Sequence, residues 1–382
     1  MSVRGKSGGQ SGRILLAGAA LLALLAVVAG CAAALLRADW RTPYAGFGAD
    51  GVFVEIPRGM PVAAIARTLE TNGVVRRGIS FRALALWKGH ARLEAGEYRF
   101  DHAETPEQVF DTLAHGRIYT VTVTVPEGET MFGIAGLLEA KGVTSREAFL
   151  AAARAPGMVA DLAPGAPSLE GFLFPATYQF PRHQPGEKIA EAMVRRFREA
   201  WAEISGKFAG NAGGAASRNG GTGPLGVVTL ASLVEKETAA PEERPLVASV
   251  LRNRLRKGMT LDCDPTVIYA LVLAGKYNSG GGGRLLLADL RVDSPYNTYR
   301  RRGLPPGPIA NPGEASLRAA LDVMLDPAPG KLLYFVATGD GGHAFSSTLA
   351  EQNRNVARYR KREAEQARSA RARARAAGKP SL

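Results

Sequence analysis

The chain has 382 residues, of which 46% are hydrophobic and 22% are charged, so its composition excludes a wholly disordered protein. Its formal net charge is +13, and residues 358–382 hold nine Lys or Arg against two Glu. Because so much of the positive charge lies in this tail, the net charge does not indicate a folded nucleic-acid-binding domain. Only two cysteines are present, which excludes a zinc site made of a cysteine cluster.

The first predicted element is an apolar segment of 23 residues, 14–36, that contains no charged residue. As a helix it would be ~34 Å long, enough to cross the hydrocarbon core of a bilayer. Basic residues precede it, so the positive-inside rule places residues 1–13 in the cytoplasm and the chain after the segment outside it. Two alternatives stay open. Val28-Ala29-Gly30-Cys31 resembles a lipoprotein cleavage box with Cys31 as lipid anchor, and the segment could also be a cleaved secretory signal.

An internal repeat follows a predicted linker at residues 37–49. Residues 54–74 and 123–143 are identical at nine of 21 positions. Each copy predicts a short strand, a Pro-x-Gly turn, and a helix with Ile and Leu four residues apart on its buried face and a glycine after its last turn. With a further strand and helix, the first copy predicts a compact α+β module over residues 50–117.

A larger domain is predicted over residues 118–358. It begins with an alternating strand at 118–125 and contains two consecutive helices, at about 226–238 and about 242–257. The second of these helices has acidic residues in its first turn and basic residues in its last, which suits the helix dipole.

Three segments lack an apolar period. Residues 207–224 are rich in Gly, Ala, Asn and Ser, so we expect a flexible insertion there, and Gly280 to Gly283 form a second glycine run. The tail at 359–382 consists largely of Ala, Arg and Glu, and we expect it to be disordered or weakly helical and able to contact anionic polymers.

Glu237, at the end of the helix at 226–238, is the strongest candidate for a catalytic residue. The side chains seven, four and three residues before it are Leu230, Leu233 and Val234, so all four share one helical face. A carboxyl group held against apolar neighbours loses hydration and its pKa rises, as a general acid requires at neutral pH. Glu235 points to the opposite side, where we expect it to meet water. The pattern also allows Glu237 to be a helix-end carboxylate paired with a basic residue.

Seven short motifs follow one another along the chain. They are Leu-Glu-Gly-Phe-Leu-Phe-Pro at 169–175, Glu-Lys-Glu-Thr at 235–238, Asp-Pro-Thr-Val-Ile-Tyr at 264–269, Ser-Pro-Tyr-Asn-Thr-Tyr at 294–299, Gly-Leu-Pro-Pro-Gly-Pro-Ile at 303–309, Asn-Pro-Gly at 311–313 and Gly-Gly-His-Ala-Phe-Ser at 341–346. In this order they resemble the MltG or YceG-like endolytic murein transglycosylases of bacteria, over roughly residues 50–360.

The resemblance implies an α+β fold with a single inner-membrane helix, a periplasmic LysM-like module and a mixed α/β catalytic domain. It also implies cleavage of peptidoglycan glycan strands between N-acetylmuramic acid and N-acetylglucosamine, leaving 1,6-anhydro ends. The catalytic residue of the family's Glu-x-Glu-Thr motif corresponds to Glu237, acting first as acid and then as base. The implied partners are glycan strands, the inner membrane and cell-wall synthases (penicillin-binding proteins). No cofactor, metal or nucleic acid is expected.

Two neighbouring motif residues are candidates for binding the substrate. Asn297 and Tyr299 would share one face of an extended segment, where they could hydrogen-bond an N-acetyl group and stack on a sugar ring. Alternatively, Asn297 forms a turn and the tyrosines of the motif belong to the core.

Four further motif residues are candidates for the substrate site. Asp264 could stabilise an oxocarbenium-like transition state, but we favour it as the cap of a helix at 265–274, which would put Thr266 in the first turn. Glu170 either lines the cleft or makes a structural hydrogen bond. His343 is expected to be a cleft or turn residue.

Two other functions compete with the transglycosylase reading. The first is a glycosidase that activates water, with Asp262 or Asp264 as the partner carboxylate. The second is a non-enzymatic, glycan-binding scaffold for cell-wall synthases. The LysM-like module likewise has two readings, as a glycan binder or as a rigid spacer above the membrane.

Overall fold

The computed structural model describes residues 8–89, 92–206, 223–277, 285–326 and 330–376. The chain divides into two compact units, residues 1–121 and 122–382. The insertion predicted at 207–224, apart from its last two residues, lies outside the described residues, as does the run from Gly280 to Gly283.

The first unit begins with a long helix, α1 (Gly8–Arg41), which continues into the segment predicted as a linker. Its part Gly18–Arg41 is the one helix of the described residues that is long and apolar enough to cross a membrane. This finding confirms the predicted N-terminal apolar helix, and it is compatible with either a single-pass anchor or a signal sequence.

The rest of the first unit is a small α+β module. Its elements are β1 (Val52–Ile56), α2 (Val62–Thr71), α3 (Gly78–Trp87), β2 (Gly96–Phe100) and α4 (Pro106–Ala114). β1 and β2 pair antiparallel, with Val54 opposite Tyr98, and the helices pack on the inner face of this ribbon. Alternating strand residues and the i, i+4 helix residues Ile65 and Leu69 form its buried core. The α+β composition is confirmed, whereas the LysM-like character stays a prediction.

Over its described residues, the second unit is mainly helical with two short two-stranded sheets. Its elements are β3 (Val121–Thr124), α5 (Met131–Ala140), α6 (Arg146–Ala153), β4 (Thr177–Phe180), α7 (Gly186–Gly206), α8 (Pro224–Glu237), α9 (Arg244–Arg256), α10 (Asp264–Leu273), α11 (Glu314–Leu325), β5 (Tyr334–Ala337), β6 (His343–Ser346) and α12 (Leu349–Ala376). β3 pairs with β4, and β5 and β6 form an antiparallel hairpin. α8 packs against α9, α10 and α11, so it lies at the centre of this unit.

The two copies of the repeat adopt the same local structure. In each, a strand leads through a Pro-x-Gly turn into a helix, α2 in the first copy and α5 in the second. The turn glycines Gly59 and Gly128 have φ of +78° and +75°, a region that side-chain-bearing residues rarely occupy. The sequence repeat is thus a structural repeat of one strand-turn-helix unit.

The basic tail is helical over most of its length, which is one of the two states that its composition allowed. α12 packs against β5 and β6 and is helical as far as Ala376. Ala, Arg, Glu and Gln dominate this segment and all have high intrinsic helix propensity. These propensities account for a helix that lacks an apolar face.

Candidate active site

The helix that ends at Glu237 is buried on nearly all sides. Residues 227–234 of α8 are all buried, and Thr238 leaves the helix in an extended conformation. The three apolar side chains predicted to share the face of Glu237 are fully buried: Leu230, Leu233 and Val234. These three residues are buried as the spacing predicted, but the residues between them are buried too, so this part of α8 has no separate solvent-facing side.

One oxygen of the Glu237 carboxyl group is shielded from water, while the residue as a whole is half-buried. Its Oε1 is buried and has no hydrogen-bond partner within the part of the chain that the structure describes. Burial raises the pKa of Glu237 to about 7. The hydrogen bond with the Cys263 thiol and the charge of Arg254 act to lower this pKa, whereas the charge of Asp264 acts to raise it. A carboxyl group with this pKa exists in both protonation states near neutral pH, as a group that serves as acid and then as base must.

Glu235 does not meet water, and that prediction was wrong. Its side chain is only 6% exposed and lies 3.4 Å from the guanidinium of Arg244. Its other carboxylate oxygen accepts the backbone N–H of Gly313 at 3.0 Å. The start of α9 supplies the arginine and the start of α11 supplies the N–H, so this side of α8 is covered as well. The helix-end ion pair that the sequence allowed for Glu237 is made by Glu235 instead.

Asp264 lies beside the candidate acid but does not cap α10. Cys263 occupies the N-cap position and Asp264 is the first helical residue. The Asp264 Oδ1 accepts a hydrogen bond from the Tyr299 hydroxyl at 2.6 Å. The predicted cap was therefore wrong. Burial, together with this hydrogen bond, raises the pKa of Tyr299, which keeps the hydroxyl protonated as a donor.

Thr266 connects the segment that carries Asp264 to the segment that carries Tyr299. It is fully buried, and its hydroxyl lies 2.6 Å from the carbonyl oxygen of Cys263 and 2.9 Å from the hydroxyl of Thr298. The Thr298 hydroxyl in turn accepts the backbone N–H of Cys263 at 3.0 Å. This geometry makes Thr266 a residue that positions its neighbours, because no part of its side chain reaches the surface.

Asn297 adopts the turn-forming role that the sequence left open. Its side-chain amide donates to the carbonyl oxygens of Leu290 and Val292 at 2.9 and 2.8 Å. Its Oδ1 accepts the N–H of Tyr299 at 3.0 Å. Asn297 is fully buried while Tyr299 is half-buried, so the two side chains do not share a solvent-facing surface.

Glu170 is the centre of a buried hydrogen-bond network. Its carboxylate accepts the N–H of Met131 at 3.0 Å, the side-chain amide of Asn311 at 2.8 Å and the Tyr269 hydroxyl at 3.2 Å. Burial raises the pKa of Glu170 to about 8, although these hydrogen bonds act to lower it. Since Glu170 is 1% exposed, the structure favours the structural hydrogen bond over a place in the cleft.

His343, the first residue of β6, contacts the chain just after Glu237. Its Nδ1 lies 2.6 Å from one carboxylate oxygen of Glu243, and its backbone N–H donates to the other at 2.6 Å. Thr238 also donates to Glu243, at 3.0 Å. Burial acts to raise the pKa of Glu243, but these hydrogen bonds outweigh it and hold the pKa below its usual range. The cluster therefore fixes β6 to the end of α8.

Several residues of this arrangement were missed as site residues from sequence. Four of them belong to no periodic apolar pattern, and only the last lies within a motif: Cys263, Glu243, Arg244 and Asn311. Its Oδ1 accepts the backbone N–H groups of Gly171 and Leu173 at 2.8 and 3.0 Å. Over the residues with described positions, no cluster of three or more His, Cys, Asp or Glu is arranged to hold a metal.

Comparison with known proteins places these residues in a family. The sequence model of the YceG-like family matches residues 54–358. The chain is 33% identical over 324 residues to the endolytic murein transglycosylase of Bacillus subtilis (strain 168), covering 81% of this chain and 84% of that relative. It is 30% identical over 335 residues to the endolytic murein transglycosylase of Streptococcus pneumoniae D39, where it spans 58% of the relative's length and the match covers 81% of this chain.

A solved structure agrees with these sequence matches. The crystal structure of a yceG-like protein from Listeria monocytogenes superposes with a TM-score of 0.51 at 31% identity, covering 80% of this chain and 99% of that one. The family match extends over both the repeat and every motif from residue 169 to residue 346. The chain belongs to the YceG-like family.

Proposed function

We propose that this protein is a membrane-anchored endolytic lytic transglycosylase of nascent peptidoglycan, with Glu237 as its single acid and base. The observation that carries the proposal is the partly shielded Glu237 carboxyl, whose pKa of about 7 leaves it partly protonated at neutral pH. The name shared by the matched relatives, endolytic murein transglycosylase, supports the reaction class.

The proposed reaction uses the substrate's own hydroxyl in place of water. Protonated Glu237 donates its proton to the oxygen that bridges N-acetylmuramic acid and N-acetylglucosamine, and the bond from that oxygen to C1 of N-acetylmuramic acid breaks. The sugar passes through an oxocarbenium-like state. The Glu237 carboxylate then takes the proton from the 6-hydroxyl of the same sugar as its oxygen bonds to C1. The acid is regenerated, and the product ends in a 1,6-anhydro ring.

Asp264 and Tyr299 would assist this cycle electrostatically. The negative charge of Asp264 favours the protonated form of Glu237 before the reaction. The same charge would stabilise the positive character of the sugar at the transition state. The hydrogen bond from Tyr299 fixes the orientation of the Asp264 carboxylate.

The location of the enzyme would determine which strands it cuts. With α1 in the inner membrane and the second unit in the periplasm, the enzyme would be tethered close to newly made strands. We propose that cutting there terminates strand elongation, with cell-wall synthases as partners. The apolar helix Gly18–Arg41 supports this placement by its length and composition.

Product analysis tests the proposal. Purified full-length protein is incubated with peptidoglycan, and the fragments are identified by mass spectrometry beside those from Glu237→Gln and from Glu242→Gln, the same change at an exposed position five residues away. We expect anhydro ends from wild type and Glu242→Gln and no cleavage by Glu237→Gln. Reducing ends would instead indicate a hydrolase that uses Asp262 or Asp264. Digestion by Glu237→Gln would refute the role of Glu237.

A further inference from the structure

The N-terminal unit exposes a stripe of large apolar side chains on α3. Ile79, Leu86 and Trp87 are 79%, 59% and 73% exposed. Their helical spacing places them on one side of α3 together with Arg82, while Phe81 and the other buried residues face the module core. Single exposed apolar residues are ordinary, but a contiguous stripe is typical of a contact surface.

The end of α1 lies directly against this stripe. Trp40, in the last turn of α1, is 7% exposed, and its indole N–H donates to the carbonyl oxygen of Ser80 at 3.0 Å. The rings of Trp40 and Trp87 are 6.5 Å apart. The helix that is apolar enough to cross a membrane is therefore joined to α3 by packed side chains, and the stripe on α3 begins where the apolar part of α1 ends.

The charges around this junction are mainly basic. Arg37 and Arg41 are exposed at the end of α1, and Arg82 is exposed within the α3 stripe. The acidic residue of this part of α1 is Asp39. Arginine side chains beside a membrane helix extend to lipid phosphates, and tryptophan is enriched at the level of the headgroups. The composition of the surface therefore matches the boundary between acyl chains and anionic headgroups.

We propose that the outer face of α3 lies on the bilayer surface, with Ile79, Leu86 and Trp87 at the level of the headgroups and upper acyl chains and Arg82 on anionic lipid phosphates. The inference rests on the part of the proposed function in which α1 crosses the membrane. A glycan or a second copy of the chain would also cover an apolar stripe. Lipid is favoured because the stripe is continuous with the apolar span and is flanked by positive charge.

Fluorescence quenching by brominated lipids tests the contact, since it requires the tryptophan to approach the acyl chains. The full chain has three tryptophans, Trp40, Trp87 and Trp201. Two full-length proteins are reconstituted into vesicles of brominated phosphatidylcholine and phosphatidylglycerol. In one, Trp40→Phe and Trp201→Phe leave only Trp87, and in the other, Trp87→Phe and Trp201→Phe leave only Trp40. A circular dichroism spectrum that matches wild type verifies the fold of each variant, and wild type is measured beside them.

We expect the Trp87-only protein to be strongly quenched and its emission maximum to lie to the blue of that in lipid-free detergent. If the Trp40-only protein is quenched and the Trp87-only protein is not, the α3 face meets water or another molecule and the inference is refuted, although α1 is inserted. If neither protein is quenched, the inference is refuted as well, because Trp87 then lies away from the acyl chains. The transglycosylase reaction is judged separately by the anhydro products, so the two failures are distinguishable.

Discussion

Replacing Glu237 by Gln should make the protein more stable at neutral pH while it removes the activity. The Oε1 atom of Glu237 is buried without a partner among the described residues, and burial raises the pKa of Glu237 from 4.5 to about 7. Between these two pH values the folded protein keeps a proton that the unfolded chain has released. Stability therefore falls as the pH rises through this window. Glutamine has nearly the same shape and carries no charge, so the stability of the variant does not fall with pH in this window.

The magnitude follows from the two pKa values. A pKa raised from 4.5 to about 7 corresponds to about 3 kcal/mol, at ~1.4 kcal/mol for each tenfold change in the protonation equilibrium. The stability contributed by protonated Glu237 is fully present below pH 4.5 and is lost as the pH passes through about 7. The advantage of Glu237→Gln should thus be near zero at the acid end, grow through the window, and level off at up to ~3 kcal/mol.

Urea unfolding of the full chain in detergent, followed by circular dichroism across this pH range, measures the effect. Glu235→Gln is the matched control, since it is the same substitution two residues away on the same helix. It removes the buried partner of Arg244, which keeps only the half-exposed Glu127 at 3.7 Å, so we expect a loss of about 1–3 kcal/mol. The two variants should therefore change stability in opposite directions near neutral pH. Equal losses of stability in the two variants would refute the inference that the buried charge of Glu237 destabilises the folded protein while that of Glu235 does not.

Three further outcomes are expected. Release of anhydro products should decline above a pH of about 7, where Glu237 loses its proton. Asp264→Asn should move this decline to lower pH because it removes a charge that raises the Glu237 pKa. A decline at unchanged pH would contradict the electrostatic coupling between Asp264 and Glu237. Asn311→Ala leaves the buried N–H of Gly171 unpaired and should lower urea stability by about 3 kcal/mol, and a loss no larger than that of a surface substitution would count against the network. Thr105→Ala removes the capping box of α4 and should cost about 1 kcal/mol, measured as faster amide exchange confined to the N-terminal unit.

The features that could be predicted from the sequence depend on residues that lie close together in the chain. The i, i+3, i+4 and i+7 spacing of α8 identified the buried apolar residues that lie on the same side as Glu237, because a helix brings such residues together whatever surrounds it. The repeat predicted both strand-turn-helix units, since the turn glycines Gly59 and Gly128 are required by backbone geometry alone.

What the sequence could not predict depended on partners distant in the chain. Glu235 was expected in water because it points away from the apolar face of its helix, and Arg244 reaches it from the start of α9. Asp264 was assigned to its own helix, whereas Tyr299, 35 residues later, holds it through a hydrogen bond. Thr266 and Asn297 are typical polar candidates for a binding site, and only their burial shows that their hydrogen bonds are internal.

The repeat shows how one local structure serves different purposes in the two units. A Cβ atom added to Gly59 would meet nothing within 4 Å, so the turn of the first copy faces open space. At Gly128 the same atom would lie 3.4 Å from the Glu235 side chain, and the carbonyl oxygen of Gly128 accepts a hydrogen bond from Lys236 at 3.2 Å. The turn of the second copy therefore supports the last turn of α8, which ends in Glu237. Its role at the candidate site comes from what packs against it, because the turn itself is the same in both copies.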